Sequence, residues 1–177
     1  MKTLYIERST GECRSGEWVE KLDLEERPDR IIVGTGPGSF AGIRSALAFA
    51  QGYAIGSGCE VLGLPSACAL AQEGRCVAVV GDARRDKLWI ALFDGFSLVR
   101  DIFQINRPEI AGTVPAEWVV TTPDEARIGA MLKDVFGERY IGGQSPTAEG
   151  LKAFAEANPS ILKTEPLPIY LNPAVRD

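Results

Sequence analysis

The sequence predicts an α/β protein built from two lobes, and three observations lead to this. Two short runs, residues 31–33 and 77–80, are apolar throughout, which is typical of strands covered on both faces. A glycine-rich turn joins the first run to a long helix over residues 41–55. The order of predicted elements, strands and then strand–helix pairs, occurs twice along the chain. We therefore expect an N-terminal lobe over residues 1–74 and a C-terminal lobe over 75–177.

The N-terminal lobe is expected to begin with a strand over residues 3–7 and a second one around Trp18. The central strand at 31–33 enters a turn in which several glycines supply backbone freedom and Pro37 fixes one φ angle. Ser39 is the expected N-cap of the helix over 41–55. The remaining predicted elements of this lobe are a helix end at the glycines of 56–58, a strand over 61–63 and a helix over 66–73.

The C-terminal lobe is expected to hold three consecutive strands with tight connections, followed by two helices. Alternation over residues 87–93 and the turn signal Asp94-Gly95 predict a hairpin. The predicted elements are strands over 77–80, 87–93, 98–105, 118–121 and 140–141, a loop over 106–116, helices over 124–136 and 147–157, and an extended tail over 166–173.

The helix over residues 41–55 is apolar on more than one side. Ile43 and Leu47 lie on one side of a helical projection, and Phe49 and Tyr53 on another. A helix of this kind is either deep in a core or packed against a partner. Its alanines and glycines would let another backbone approach closely.

Composition excludes several classes of function. The chain has 177 residues and a net charge of −5, which does not favour a protein that binds nucleic acid on its own. It contains no histidine, so the usual hydrolytic triads and the commonest metal ligand are missing. Its four cysteines form no Cys-x-x-Cys pair. No apolar run approaches the ~18 residues of a membrane span, and no secretory signal is evident, so a cytoplasmic location is expected.

The glycine-rich turn is a poor nucleotide site. A Walker loop ends in Gly-Lys-Ser/Thr, whereas Phe40-Ala41-Gly42 stands here. A dinucleotide fold expects an acidic residue at the end of the next strand, and Leu64 and Pro65 follow that strand instead. The helix N-terminus still leaves a weak contact to an anion open.

Charged residues near the predicted strand ends have two interpretations each. Asp82 and Arg84 follow a buried strand, and they form either a polar site between the lobes or a salt-bridged turn without chemistry. Arg44 either binds an acidic partner group or is solvated. Arg85 and Lys87 extend a basic turn that Asp82 dilutes, so a solvated turn is favoured over an RNA contact.

Several sequence motifs resemble those of a known family. Gly34-Thr-Gly-Pro-Gly-Ser-Phe-Ala-Gly-Ile-Arg44 is similar to the signature of the TsaB (YeaZ) family of bacterial tRNA threonylcarbamoyladenosine biosynthesis subunits. Four further features agree with this family in their order along the chain: Leu62-Gly-Leu-Pro-Ser-Ala67, Asp82-Ala-Arg84, Pro146 before Ala148, and Pro168-Ile-Tyr-Leu171. The resemblance covers about residues 30–173.

The resemblance implies the two-lobed actin-like and sugar-kinase (ASKHA) fold and a non-catalytic scaffold. Such a scaffold binds the TsaD transferase, is joined by the TsaE ATPase and reaches tRNA only through the complex. It implies no catalytic residue, metal or cofactor on this chain, with ATP and metal on the partner subunits. It places the partner contact on the helix over 41–55, at Phe40, Arg44, Leu47, Ala48 and Gln51.

Three departures from the family pattern leave alternatives open. Glu7-Arg8-Ser9 stands where the family has Asp-Thr-Ser, Lys87 stands where it has glutamate, and the region before the glycine signature is too short for the family's additional helix. One alternative is a small-molecule phosphotransferase or nucleotide-binding enzyme, for which Asp82 and then Glu7 are the candidate carboxylates. Another is a self-associating, degenerate relative that forms a homodimer through the helix over 41–55.

Overall fold

The computed structural model describes residues 1–10 and 27–171. The chain divides into two compact units. The first unit comprises Met1–Ala69 with Pro146–Ile169, and the second comprises Leu70–Ser145 with the residues from Tyr170 onward. The predicted strand around Trp18 and most of the charged segment at 23–30 lie outside the described residues.

In the described residues, the first unit contains a three-stranded parallel sheet in the order β1-β2-β3. Its strands are β1 (Thr3–Ile6), β2 (Arg30–Gly34) and β3 (Glu60–Leu64). Parallel neighbours require a crossover connection, and helix α1 (Phe40–Ser57) supplies it between β2 and β3. Ile31, Ile32 and Val33 of the middle strand are at most 1% exposed, which confirms the prediction of a strand covered on both faces.

The caps of α1 are those that the sequence predicts. The Ser39 side chain accepts a hydrogen bond from the Gly42 amide at 3.3 Å, and Gly58 adopts the left-handed conformation with φ 74°. One side of the helix packs on the sheet through Ile43, Ala46, Leu47 and Ala50, which join Ile6, Ile31 and Val33 in one apolar cluster.

The second unit is a five-stranded mixed sheet in the order β6-β5-β4-β7-β8. Its strands are β4 (Cys76–Arg84), β5 (Lys87–Asp94), β6 (Ser97–Asn106), β7 (Val119–Thr122) and β8 (Tyr140–Gly143). Strand β5 runs antiparallel to both β4 and β6, and β7 is parallel to both β4 and β8. Helix α3 (Glu125–Phe136) buries Ile128 and Leu132 against the sheet, and the short α2 (Ile110–Thr113) buries Ile110.

The last helix, α4 (Ala148–Ala157), lies in the first unit and not in the C-terminal lobe where the sequence placed it. It contacts β1, and Leu151 and Phe154 are completely buried. A Cβ atom at Gly150 would lie 2.2 Å from the Ala69 carbonyl oxygen, so the helix backbone is in direct contact with this unit. The predicted boundary near residue 74 also differs from the observed one after Ala69.

Two local predictions were wrong. The predicted helix over 66–73 is a 3-10 helix over Ser66–Leu70, because the chain then turns toward β4 with the Arg75 amide donating to the Gln72 carbonyl at 3.2 Å. The predicted loop over 106–116 contains a 3-10 turn, Arg107–Glu109, and α2. A capping box stabilises that turn, since the Glu109 carboxylate accepts from the Asn106 amide at 2.9 Å.

Candidate functional site

The glycine-rich turn after β2 is tied to the end of β3. The Thr35 amide donates to the Leu64 carbonyl at 2.9 Å. The Gly36 amide donates to the Ser66 hydroxyl at 2.9 Å, and the Ser66 amide donates to the Gly36 carbonyl at 2.8 Å. Gly36 has φ 93°, a conformation that side chains disfavour. These bonds fix the path by which the chain enters α1.

The residues that follow β1 cover the turn and the start of α1. A Cβ atom at Gly38 would lie 2.2 Å from the Ser9 carbonyl oxygen, and one at Gly42 would lie 2.1 Å from the Arg8 carbonyl oxygen. The Ser39 amide donates to the Ser9 carbonyl at 2.6 Å. The glycine spacing is therefore required by backbone packing within the protein. The amides of Gly36, Ser39 and Gly42 already have protein acceptors, which removes the main basis for an anion contact at this helix end.

Glu7 lies under the same turn as a buried carboxyl group. Its Oε1 accepts from the Ser9 amide at 2.6 Å, and its Oε2 makes no hydrogen bond of regular geometry within the described part of the chain. A Cβ atom at Gly34 would lie 1.9 Å from Oε2. Burial raises the pKa of Glu7, while hydrogen bonds from Ser9, Ser66 and the Arg8 backbone oppose that shift.

One side of α1 faces solvent, and we call it the α1 face. Its residues are exposed and follow each other at intervals of three and four along the helix: Phe40, Ala41, Arg44, Ala48, Gln51, Gly52 and Ile55. Phe40 is 54% exposed and Ile55 is 89% exposed. The Arg44 guanidinium carbon lies 4.5 Å from the centroid of the Phe40 ring, which holds the two side chains together.

Four of the five residues predicted for a partner contact lie on the α1 face, and Leu47 does not. Leu47 is 5% exposed and belongs to the core cluster with Ile43 and Ala50. A step of one residue along a helix turns the side chain by about 100°, so Leu47 points to the sheet while Ala48 points to solvent. Ala41, Gly52 and Ile55 also lie on the α1 face, and their helical spacing from Ala48 could have identified them.

Asp82 and Arg84, predicted as a polar site between the lobes, lie together at the end of β4 in the second unit. The Asp82 side chain is 6% exposed, and an oxygen of its carboxylate lies 3.8 Å from Arg84 Nη1. Arg107 and Arg127 approach the same carboxylate. Neither arginine is among the predicted site residues, because nothing in the local sequence shows that distant residues meet there. A role between the lobes stays a prediction.

Neither a metal centre nor a membrane span emerges from residues 1–10 and 27–171. Within these ranges no group of three or more Cys, Asp or Glu side chains is arranged to hold a metal ion. The helices described there are too short or too polar to cross a membrane.

Comparison with known proteins agrees with the fold. The sequence model of the family described as "TsaD: tRNA N6-adenosine threonylcarbamoyltransferase" matches residues 17–105, half of the chain. Uncharacterized proteins from Mycobacterium bovis and Mycobacterium tuberculosis are each 30% identical over 105 residues, covering 58% of this chain and 49% of the relative. The chain thus spans about half the length of the curated relatives it matches.

Two solved structures from Pseudomonas aeruginosa have similar folds. YeaZ has a TM-score of 0.60 and 25% identity, and the match covers 81% of this chain and 74% of YeaZ. An uncharacterized protein described as similar to peptidase YeaZ has a TM-score of 0.62 and 22% identity, with 82% and 74% coverage. At that lower identity the likeness concerns the fold alone.

The parallel sheet of the first unit, its crossover helix and the mixed sheet of the second unit define an α/β protein of the ASKHA-like class. The chain belongs to the TsaD family, and its fold resembles that of the TsaB (YeaZ) protein of known structure.

Proposed function

We propose that this chain is a non-catalytic scaffold subunit that binds a TsaD transferase in the complex that makes threonylcarbamoyladenosine in tRNA. A TsaE-like ATPase joins the same cytoplasmic complex. ATP and the metal ion belong to the partner subunits, and this chain contributes a binding surface.

The α1 face is the observation that carries the proposal. It presents an aromatic side chain, Phe40, at one end and an aliphatic one, Ile55, at the other, with small residues between them. Large exposed apolar side chains on one helix face are typical of an interaction surface. Ala48 and Gly52 let a partner backbone approach closely, and the Arg44 guanidinium can pair with a carboxylate of the partner.

The carboxylates considered for an enzyme are engaged within the chain. Asp82 is surrounded by arginines, and the Glu7 carboxyl group is buried under the glycine-rich turn. A magnesium-dependent phosphotransferase needs carboxylate oxygens that can reach the metal and its waters. Both groups would have to leave their present contacts to serve that role, which favours the scaffold over the phosphotransferase.

Size-exclusion chromatography with light scattering, using the TsaD protein of the same organism, tests the proposal. We expect a stable complex with the unchanged chain. Ala48→Glu should abolish it, because a desolvated carboxylate at the centre of the contact is costly. Leu47→Glu is unsuitable, because it would disrupt the core and not the surface.

Ala130→Glu is the matched control, since Ala130 is an exposed alanine of α3 with a basic residue one turn away, as Ala48 is. It should leave the complex unchanged. A complex that tolerates Ala48→Glu would remove the α1 face from the contact, and no complex under any condition would refute the scaffold role.

The same measurement distinguishes the scaffold from the alternative in which the chain forms a homodimer. If the chain alone runs as a dimer that Ala48→Glu converts to a monomer, the α1 face binds a second copy. If TsaD displaces that second copy, the two contacts share one surface.

A further inference from the structure

Three arginines converge on one buried carboxylate in the second unit. Arg107 Nη2 lies 3.5 Å from Asp82 Oδ1, and Arg84 Nη1 and Arg127 Nη1 each lie 3.8 Å from Asp82 Oδ2. They come from three different elements: the end of β4, the 3-10 turn after β6, and the first turn of α3. We call these three residues the arginine cluster.

Two hydrogen bonds, one to its side chain and one from its amide, hold Asp82 in place. The Arg84 amide donates to Asp82 Oδ1 at 3.0 Å, and the Asp82 amide donates to Asp124 Oδ2 at 2.9 Å. With its side chain only 6% exposed, Asp82 is a fixed anchor that positions the guanidinium groups around it.

The guanidinium groups have more N–H donors than the Asp82 carboxylate can accept. Each carries five N–H donors, and the separations of 3.5–3.8 Å from Asp82 are longer than the ~2.7–2.9 Å of close charge-assisted bonds. The arginine side chains remain 35% to 60% exposed. One carboxylate cannot satisfy three forked donors, so donors remain for an anion at the surface.

Charged side chains of both signs adjoin the cluster, including Glu109 and Glu125 in the turns that carry Arg107 and Arg127. Asp86 pairs with Arg107 at 3.4 Å and Asp124 with Arg127 at 3.9 Å, while Arg85 and Lys87 add exposed positive charge in the adjoining turn. Crowded like charges repel one another, and an anionic ligand would relieve that repulsion.

The turn that carries Arg84 and Arg85 has an unusual backbone. Arg84, Arg85 and Asp86 have φ angles of 64°, 51° and 63°, a region that costs energy for most residues other than glycine, asparagine and aspartate. The turn thus presents two arginines at positions where glycine would be less strained.

We propose that the arginine cluster binds phosphate groups of an RNA backbone. Guanidinium forks suit phosphate oxygens, and three half-exposed arginines around one carboxylate suit the successive phosphates of a strand better than one enclosed phosphate. The choice of RNA rests on the proposed function. The sequence favoured a solvated turn at Arg84-Arg85, but it could not show that Arg107 and Arg127 join them.

Fluorescence anisotropy with a labelled RNA stem-loop of mixed sequence at low salt tests the inference. We expect Arg107→Ala and Arg127→Ala each to weaken binding roughly three- to tenfold and to lower the slope of log K against log salt by about 1. Arg127→Lys, which keeps the charge, should recover most of the affinity. Arg75→Ala, at the opposite end of β4, changes the net charge equally and should have little effect.

Competition identifies the ligand. ATP or inorganic phosphate that displaces the RNA at equal phosphate concentration would mean a site for free phosphate and would overturn the choice of RNA. Absence of RNA binding at low salt, or an equal loss in Arg75→Ala, would overturn the arginine cluster as a site. Far-UV circular dichroism checks that each variant is folded.

Failure of this inference is distinguishable from failure of the scaffold proposal. Ala48→Glu should leave RNA binding by the isolated chain unchanged, and Arg127→Ala should leave TsaD binding unchanged. If the unchanged chain binds TsaD but not RNA, only this inference fails, and if it binds RNA but not TsaD, only the scaffold proposal fails.

Discussion

At the scale of single residues, the local sequence does not predict the environment of Glu7. It lies at the end of a short strand, beside Arg8 and Ser9, and nothing in this local sequence indicates that it is buried. The structure instead buries its carboxyl group between Gly34 and Ser66. Only the absence of a side chain at Gly34 makes that space available.

The pH dependence of stability should report on Glu7. Burial raises its pKa in the folded state above the ordinary value of 4.5. The ionised form therefore destabilises the fold relative to the unfolded chain, and stability is lost as pH rises from about 4.5 through the raised pKa. Glu7→Gln keeps the acceptor for the Ser9 amide and removes that loss.

Thermal denaturation of Glu7→Gln and the unchanged chain across this pH range is the measurement. The Tm of Glu7→Gln should exceed that of the unchanged chain most at about pH 8 and little near pH 4.5. Each kcal/mol of recovered stability should raise the Tm by ~2–4 °C. Asp134→Asn, at an exposed position of α3, should show no such trend. A gain of equal size at both pH values would mean that ionisation of Glu7 is not the cause.

Among the elements, α1 contains glycines of opposite kinds. Gly42 is buried, and a Cβ atom there would meet the Arg8 carbonyl oxygen at 2.1 Å. Gly52 is exposed, and a Cβ atom there would have nothing within 4 Å. The first glycine is required by packing, and the second only weakens the helix.

Gly42→Ala and Gly52→Ala should therefore change stability in opposite directions. Gly42→Ala should destabilise the protein by about 1–3 kcal/mol, because a backbone segment must move to admit the methyl group. Gly52→Ala should stabilise it by about 1 kcal/mol through helix propensity. Urea unfolding followed by circular dichroism measures both, and a stabilising Gly42→Ala would show that residues 8–9 do not pack on the helix as described.

Most elements could be predicted from local patterns. The caps of α1, Ser39 and Gly58, were confirmed because capping depends on neighbouring residues. In β5 the predicted alternation is present, yet both sets of side chains, such as Leu88 and Trp89, are buried. The strand lies inside the sheet with both faces covered, which alternation alone does not indicate.

At the scale of the whole molecule, the chain returns to its first unit after β8, over Pro146–Ile169. After β8 it forms α4 and an extended segment in which Lys163 pairs with Gly63 in both directions, at 2.8 and 3.0 Å. The Ile169 amide then donates to the Thr35 carbonyl at 2.8 Å. The first unit is therefore completed by residues from both ends of the described chain.

Hydrogen exchange on Phe154→Ala tests this assignment. Loss of this buried ring should cost about 3–5 kcal/mol and should reduce protection in β1, β2 and α4 together, with β4–β8 unaffected. Leu132→Ala, in the core of α3, should give the reverse pattern. Loss of protection in β4–β8 with Phe154→Ala would instead support the lobe boundary that the sequence suggested.

The sequence alone determined the α/β class, the central strand, the glycine-rich turn, the capped helix and the family resemblance, because each depends on residues close together in the chain. Tertiary structure decided which side of α1 is free, that α4 belongs to the first unit, that Glu7 is buried, and that Arg107 and Arg127 meet at Asp82. These features depend on contacts between residues far apart in the sequence, and such contacts leave no periodic or local signal.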